Sequence, residues 1–438
     1  MKTYDSYKDS GVEWIGEIPQ KWECIRLGML GNFSSSGIDK KSNEDETPVR
    51  MVNYTDIIQS RKYNPIQTGD KEYMRVTTPQ SKLMEHRLRR GDMVFIPSSE
   101  TNEDLGFSSL IDFEENDIVY SYHILRYKTK KPIFHYYKKY LINHHSVLNQ
   151  FSCESKGTTR QIIGRDVFNN IRVVLPPLSE QQQIVSFLDT KTSLIDSLIE
   201  KTQRKIEILK EKRTSLINKA VTKGLNPNAE MKDSGVEWIG EIPSHWETNK
   251  LKFLSKIIYG VSPPDTTYND EGVGTILING PVEYSKTDFG YTRSLKWTTE
   301  PKKFTTKGSL LFCLRGSTTG RMNITHTDVS IGRGVCSINS IENQWFLIYS
   351  MFSVRRWIQD QISGSTFPSV TSDDVNNYTI CSSPINEQQQ IVEYLNEQTQ
   401  LIDKTISIEE KRTKLLKEYR QSLISSVITG KIKVTEDA

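Results

Sequence analysis

Apolar residues recur with a seven-residue period along two long stretches of the chain. The first stretch runs from Ser179 to about Gly224 without proline or interior glycine, and a matching stretch follows 207 residues later. Heptad positions a and d are mostly apolar, which is typical of long helices that pair through one seam. Each stretch therefore predicts a helix of about 45 residues. The seam residues expected to join the two helices are Leu188, Ile195, Ile199, Ile206, Leu209, Leu216, Leu395, Ile402, Ile406, Leu416 and Leu423.

Charge is unevenly distributed along both predicted helices. Acidic residues such as Glu180 and Asp196 dominate the first halves, whereas lysine and arginine dominate the second halves. A parallel pair would place like charges side by side, but an antiparallel pair places each acidic half against a basic half. The sequence therefore predicts an antiparallel two-helix coiled coil. The helix dipole alone favours the same charge bias, but it does not require the apolar seam.

The segments before the two helices have a different pattern. Short apolar or alternating runs bounded by turn residues, such as "GDMVFIP" from Gly91 and "GTILING" from Gly274, are typical of strands. Each segment then ends in a predicted amphipathic helix, "IFHYYKKYLINHHSVLNQF" in the first and "NQWFLIYSMFSVRRWIQDQI" in the second. The pattern favours two α+β domains.

The chain contains an internal repeat. "KDSGVEWIGEIP" begins at Lys8 and again at Lys232, and "EQQQIV" begins at Glu180 and again at Glu387. These offsets are 224 and 207 residues, so the chain is two copies of one plan with unlike middle segments. The repeat predicts a pseudo-twofold scaffold that carries two different recognition domains.

We name residues 8–23 and 232–247 the clip motifs. Each clip motif lies immediately before one of the two unlike middle segments, which we call the variable segments. The second clip motif directly follows the first predicted helix. We therefore expect a packing role, in which Trp14 or Trp238 covers an end of the coiled coil or the domain beside it.

Composition narrows the functional classes. The chain has 438 residues, of which 25% are charged and 36% hydrophobic, as in ordinary globular domains. No apolar run approaches the roughly 18 residues of a membrane span, and the N-terminus has no signal-peptide core, so we expect a cytoplasmic protein. The net charge is only +3, so a polyanionic partner would have to meet a local basic patch.

Sequence patterns of catalysis and metal binding are missing. The five cysteines include no CxxC pair that would indicate zinc or redox chemistry. "GSTTGR" from Gly316 lacks the spacing and the following lysine of a phosphate-binding loop. The sequence also lacks the Asn/Asp-Pro-Pro-aromatic segment of an adenine methyltransferase. We expect a chain that is not an enzyme and binds no metal or cofactor.

The paired motifs carry a family resemblance. The twin "WIGEIPxxW" segments, the twin "PxxEQQQIV" helix starts and the Gly-Thr/Ser segment before each helix resemble the specificity subunit of type I restriction-modification systems, along essentially the whole chain. The resemblance implies an α+β fold with two tandem α/β target recognition domains, separated by two long helices that form an antiparallel coiled coil. Each domain would read one half of a split double-stranded DNA site, and the helices would set the spacing.

The resemblance also implies partners. Two modification subunits would dock on the chain and supply the methyl-donor site, and restriction subunits would supply ATP-driven translocation and cleavage. Methyl donor, ATP and Mg are then expected on the partner subunits. The expected boundaries are a first recognition domain at 1–171, a first helix with linker at 172–225, a second recognition domain at 226–380 and a second helix at 381–438.

Basic and hydroxyl side chains in loops are the candidates for DNA contact, because arginine binds phosphates and base edges. "GTTRQ" contains Arg160, whereas the repeat segment "GSTFPS" has Phe367 there, so a base contact shared by both copies is not expected at this position. The DNA-binding candidates are Arg87, Arg89, Arg90, Arg160, Arg315, Thr318, Arg321 and Arg333.

Two other classes remain open from the residues alone. A coiled-coil scaffold without DNA readout would show the same helices and would not retain duplex DNA. A standalone nuclease or methyltransferase would show activity from this chain without partners, and the missing catalytic patterns argue against it.

Overall fold

The computed structural model divides into two compact units. The first unit comprises residues 1–203 and 410–438, and the second comprises 204–409, so the boundary crosses both long helices. Phe367, which the repeat comparison singled out, lies outside the described residues. The structure describes residues 3–60, 64–287, 289–316, 318–362 and 369–434.

The first half of the chain alternates short strands with short helices before one very long helix. The long helix begins after Pro177 and ends at Gly224, whose φ of 70° suits a glycine that stops a helix. The elements are β1 (Tyr7–Asp9), β2 (Glu17–Pro19), β3 (Glu23–Arg26), α1 (Leu27–Leu30), β4 (Gly31–Ser34), β5 (Thr47–Val52), α2 (Tyr54–Ser60), β6 (Ile66–Gln67), β7 (Met74–Thr78), α3 (Gln80–His86), β8 (Met93–Phe95), β9 (Ser98–Ser99), β10 (Ser108–Ile111), β11 (Ile118–Tyr120), β12 (Leu125–Thr129), α4 (Lys138–Ile142), α5 (His145–Glu154), β13 (Gln161–Ile162), α6 (Arg165–Asn170), β14 (Arg172–Leu175) and α7 (Leu178–Lys223).

The second half begins and ends with the same elements, but its described middle part has no α-helix in the place of α2 and α3. The elements are β15 (Met231–Asp233), β16 (Glu241–Pro243), β17 (Glu247–Lys250), α8 (Leu251–Leu254), β18 (Ser255–Tyr259), β19 (Tyr268–Asn269), β20 (Thr275–Ile278), β21 (Trp297–Thr298), β22 (Phe304–Thr305), β23 (Leu310–Cys313), β24 (Met322–Ile324), β25 (Val329–Ile331), β26 (Val335–Ser340), α9 (Gln344–Ile362), α10 (Ser372–Asn377), β27 (Thr379–Ser382) and α11 (Ile385–Ile428).

Each unit has two main sheets. The first unit has a five-stranded sheet in the order β4-β12-β8-β10-β6 and a three-stranded sheet in the order β11-β5-β7. The second has a four-stranded sheet, β18-β26-β23-β24, and a five-stranded sheet, β19-β21-β20-β25-β22. Most of the described strand pairs are antiparallel, but β10 runs parallel to β6, β11 to β5 and β25 to β20. The predicted α+β class with two tandem domains is confirmed.

The domain-ending helix of the first unit differs from the prediction. The sequence pattern indicated one continuous helix, as α9 is in the second unit, but α4 ends at Ile142 and α5 begins at His145. Asn143 interrupts the helix because its side chain pairs with a strand. Its Nδ2 donates to the Ser108 carbonyl at 2.8 Å and its Oδ1 accepts from the Ser108 N–H at 2.9 Å. A tertiary contact therefore overrides the helical pattern.

The two long helices are antiparallel within each unit. In the first unit the Arg420 guanidinium donates to both Asp196 carboxylate oxygens, at 2.9 and 3.1 Å. In the second unit Arg213 Nε lies 2.9 Å from Asp403 Oδ1, and its Nη2 donates to Oδ2 at 3.1 Å. These four residues are equivalent in the repeat, so the two ion pairs are the same contact made with the helices exchanged. The predicted antiparallel pairing is confirmed.

The apolar seam is buried along the same helices. The seam residues are spread along most of the length of both helices, as a continuous heptad pattern requires. The first unit buries Leu188, Ile195, Ile199, Leu416 and Leu423 in one cluster, and the second buries Ile206, Leu209, Leu216, Ile402 and Ile406 in one cluster and Leu395 in another.

The clip motif fastens each variable domain to a helix start. Trp22 is fully buried, and its indole N–H donates to the Glu180 carboxylate at 3.1 Å. The repeat-equivalent Trp246 donates to Glu387 at 2.9 Å. Of the two tryptophans predicted to cover a helix end, Trp14 is 40% exposed, whereas Trp238 is partly buried against a cluster that contains residues of both long helices. The second tryptophan of each motif, Trp22 or Trp246, is the fully buried one, and its indole N–H is bonded to a carboxylate in the first turn of a long helix.

Glycines complete the clip at the other helix ends. Gly430, which ends the second helix with φ +75°, packs so tightly on Pro19 and Trp22 that an added Cβ would collide with the proline. Gly224 packs likewise against Trp246 at the end of the first helix. Each clip motif therefore joins the start of one long helix to the end of the other.

Candidate nucleic-acid interface

Arg160 lies at the tip of a small hairpin in the first unit. Strand β13 pairs with β9, and Lys156 bridges Ile162 across the turn. Gly157 has φ +133°, and a Cβ there would collide with the Arg160 carbonyl, so only glycine suits this turn. The turn leaves the Arg160 side chain exposed and without a hydrogen bond or ion pair to any described residue. It is free to contact a ligand.

Sequence reasoning missed the aromatic pair beside this hairpin. Tyr122 is 46% exposed, and its ring centroid lies 3.7 Å from that of His123. Burial lowers the pKa of His123, and the positive charges of Arg160 and Lys40 lower it further. The imidazole is therefore neutral at pH 7, with one donor and one acceptor nitrogen. No local pattern marks these residues, because they come together from three separate segments.

The second unit places arginines at comparable positions. Arg315 follows strand β23 and forms an isolated β-bridge with Ser369. The corresponding pairing in the first unit is that of β9 with β13. Arg333 follows strand β25, and its N–H donates to the Ser262 hydroxyl at 3.2 Å. Both side chains are exposed, and within the described part of the chain neither guanidinium has a hydrogen bond or ion pair.

Three candidates near α3 have different surroundings. Arg87 donates to the Asn116 side chain at 2.5 Å, and Arg90 donates to Asp112 at 2.9 Å. The hydrogen bond to Asp112 raises the pKa of Arg90. Arg89 is exposed, and its hydrogen bonds to described residues are made by its backbone, whose N–H donates to the Asp92 carboxylate and whose carbonyl accepts from the Asp92 N–H. The guanidinium groups of Arg87 and Arg90 therefore make contacts within their own domain, whereas the guanidinium of Arg89 is free.

Arg321 and Thr318 also face inward. The Arg321 guanidinium donates to the Ser285 carbonyl at 3.0 Å and lies 5.9 Å from the centroid of the Tyr284 ring. Thr318 Oγ1 lies 3.7 Å from the Cys313 sulfur. These contacts hold the loop that follows strand β23. Both side chains therefore position the loop that carries Arg315, and they project less far into solvent than Arg315 does.

The described ranges contain neither a metal-binding cluster nor a membrane-spanning helix. Within them, no group of three or more His, Cys, Asp or Glu side chains is placed to hold a metal ion. None of the described helices is long and apolar enough to cross a membrane.

The chain matches a protein family along both halves. The family model described as the type I restriction modification DNA specificity domain matches residues 19–209 and again residues 243–418. The putative type I restriction enzyme MjaX specificity subunit of Methanocaldococcus jannaschii is 28% identical over 430 residues, which cover 96% of each chain. The type I restriction enzyme MjaIX specificity subunit of the same organism is 22% identical over 443 residues, again with 96% of each chain covered.

Solved structures share the fold. A chain from a study of complex assembly and conformational transition of the type I R-M system superimposes with a TM-score of 0.73 and 19% identity, covering 95% of this chain and 99% of that one. The HsdS subunit from Thermoanaerobacter tengcongensis gives a TM-score of 0.54 and 18% identity, covering 95% and 98%. At these identities the likeness extends to the fold alone.

Proposed function

Because this chain belongs to the type I restriction-modification DNA specificity family, we propose that each of its two units reads one half of a bipartite DNA target. One observation carries the proposal: both units have the same clip and helix contacts, but their loops present different side chains. A duplicated framework with unlike surfaces suits two unlike half-sites. The chain is the recognition subunit and does not itself catalyse methylation or cleavage.

We propose that the helices set the separation of the half-sites. Helix α7 has 46 residues and α11 has 44, so each is about 65–70 Å long at 1.5 Å per residue. A helix of this length is stiff compared with a loop, and its residue number is fixed by the sequence. The spacer between half-sites is therefore expected to change when whole heptads are removed from both helices.

We also propose that two identical modification subunits dock on the outer faces of the long helices. Leu194 and Leu415 are 59% and 54% exposed in the first unit, and Leu401 and Ile208 are 61% and 49% exposed in the second. Leu194 and Leu401 are equivalent in the repeat, as are Ile208 and Leu415. All four occupy heptad position c, on the same side of an antiparallel pair. Each unit therefore presents the same apolar pair, which suits two copies of one partner.

The remaining chemistry is assigned to partners. We propose that the modification subunits bind the methyl donor and that restriction subunits bind ATP and Mg. The supporting observation is the family match, which is to a DNA specificity domain in both halves of the chain. We propose a cytoplasmic location, where a DNA-recognition subunit has access to chromosomal DNA.

A domain exchange tests the two-reader proposal. Residues 26–171 would be replaced by the corresponding segment of another family member, and methylated adenines would be mapped in cells that express the hybrid with its modification subunit. One half-site is expected to change while the other stays the same. Unchanged specificity, or a change in both half-sites, would show that the units do not read independently.

A second exchange tests docking. Changing Leu194 and Leu401 together to glutamine is expected to abolish copurification of the modification subunit, and changing only one is expected to halve its stoichiometry. The matched control is Arg204→Ala, an exposed helix residue that pairs with Glu207 at 3.0 Å.

The alternative of a scaffold without DNA readout predicts that the assembled complex does not retain duplex DNA at moderate salt. The family match is to DNA specificity domains in both halves and supports the DNA-binding function.

A further inference from the structure

In the first unit, the chain turns sharply where parallel strands β5 and β11 end. The Ser121 N–H donates to the Val52 carbonyl at 3.0 Å, and the Ile124 N–H donates back to the Ser121 carbonyl at 3.1 Å. This turn, residues 121–124, places Tyr122 and His123 at its tip. We name it the first strand-end turn.

The second unit builds the same turn where parallel strands β20 and β25 end. The Gly332 N–H donates to the Ile278 carbonyl at 2.9 Å, and the Val335 N–H donates to the Gly332 carbonyl at 3.1 Å. This second strand-end turn, residues 332–335, has Arg333 and Gly334 at its tip. The two backbones make equivalent hydrogen bonds, so each tip residue has a counterpart in the other unit.

The residues at the two tips differ, although the two turns make equivalent backbone hydrogen bonds. Tyr122 corresponds to Arg333, and His123 corresponds to Gly334. In the second turn an added Cβ at Gly332 or Gly334 would collide with Asn279, so Arg333 is the only tip residue that can carry a side chain. The carboxyl ends of parallel strands are where α/β sheets commonly bind ligands. A fixed turn with exchangeable tips at this edge is suited to specificity.

Charged side chains of both signs lie near the two tips. In the first unit, Arg160 and Lys40 are close enough to His123 to lower its pKa, after the larger effect of burial. In the second unit, Lys296 lies 5.4 Å from the centroid of the Tyr268 ring, and Arg333 acts on the pKa of the Tyr268 hydroxyl, which burial raises. The carboxylates of Asp39 and Asp265 lie near the same groups, so the exposed guanidinium groups of Arg160 and Arg333 are the positive charges left to attract a polyanion to these edges.

We propose that the strand-end turns are the elements that read bases, with Tyr122 and His123 determining one half-site and Arg333 the other. This inference rests on the proposed function of the chain. An unpaired guanidinium binds the O6 and N7 atoms of guanine with two hydrogen bonds, so the half-site read by the second unit contains a guanine. The first turn offers an aromatic ring and a neutral imidazole, which suit a thymine methyl group and a mixed donor and acceptor edge.

The test uses the complex of this chain with its modification subunit. A randomised duplex library would be methylated by the wild type, by the double variant Tyr122→Ala with His123→Ala, and by Arg333→Ala. Arg333→Ala is expected to lose discrimination at one guanine position of one half-site by roughly 5- to 150-fold. The double variant is expected to relax only the other half-site. In each variant, the untouched half-site is an internal control.

Two further variants separate base readout from phosphate contact. Arg333→Lys keeps the charge but loses the two-pronged geometry, so it is expected to retain overall affinity and lose the guanine preference. Arg204→Ala is a matched arginine removal on a helix and is expected to change neither half-site.

The outcomes distinguish this inference from the proposed function. If the wild-type complex shows no bipartite site, the proposed function is wrong, and this inference is wrong with it. If the wild type shows two half-sites but the tip variants keep both preferences, or weaken all sequences equally, the turns do not read bases and only this inference is overturned.

Discussion

The ion pair between Asp196 and Arg420 provides a quantitative test of the helix arrangement. The Arg420 guanidinium donates to both carboxylate oxygens, at 2.9 and 3.1 Å, and the two side chains are 20% and 23% exposed. The perturbation is a double-mutant cycle with Asp196→Ala, Arg420→Ala and the pair of changes together.

The expected magnitude follows from this partial burial. Exposed pairs contribute about 0.2–1 kcal/mol, and breaking a fully buried pair costs about 3–5 kcal/mol. A two-pronged pair with about one fifth of each side chain exposed lies between these limits. Each single change is therefore expected to lower the free energy of unfolding by about 2 kcal/mol, with a coupling energy of about 1–2 kcal/mol. The coupling should weaken with added salt.

The assay is urea unfolding of the full chain, followed by helical circular dichroism. The matched control combines Asp196→Ala with Arg213→Ala. Arg213 is the repeat equivalent of Arg420 but pairs with Asp403, so these effects should add within about 0.5 kcal/mol. Zero coupling between Asp196 and Arg420, or equal coupling in the control, would contradict the antiparallel pairing.

Three other perturbations have defined outcomes. Trp22→Ala removes a fully buried clip residue and is expected to cost about 3–5 kcal/mol of unfolding free energy, whereas Trp14→Ala at a 40% exposed site should cost under about 1 kcal/mol; equal losses in thermal unfolding would refute the clip assignment. Gly157→Ala should displace the hairpin of Arg160 and weaken DNA retention in a gel without changing far-ultraviolet circular dichroism; unchanged retention would exclude the hairpin from the interface. Burial lowers the pKa of His144 to about 4, so as the pH falls the unfolded chain binds a proton at His144 before the folded chain does. Between pH 7 and pH 5 the wild type should therefore lose about 2 kcal/mol more unfolding free energy than His144→Gln loses. Identical pH profiles of the two proteins in urea unfolding would show that His144 is not buried.

The sequence determined the framework of this protein. Heptad spacing defined both long helices to within a few residues, because each helix must keep one apolar face along its whole length. The charge bias defined their direction, because opposite charges at Asp196 and Arg420 can meet only when the helices are antiparallel. The repeated motifs defined the two-copy plan and led to the family.

The tertiary structure decided which side chains act at each place. Arg87 and Arg160 are both loop arginines in the sequence, but only the folded chain shows that Arg87 is held by Asn116 while Arg160 is free. Likewise, no local pattern distinguishes Trp22 from Trp14, because burial depends on the helix that packs against them.

The recognition surface is the least predictable part. His123, Arg160 and Lys40 come from separate segments, and their proximity depends on strand order and on where parallel strands end. Periodicity records which face of an element is buried, so the sequence was sufficient for the helices and their pairing. It does not record which exposed loops meet across a sheet edge, and for that reason the residues proposed to read bases could be chosen only from the folded chain.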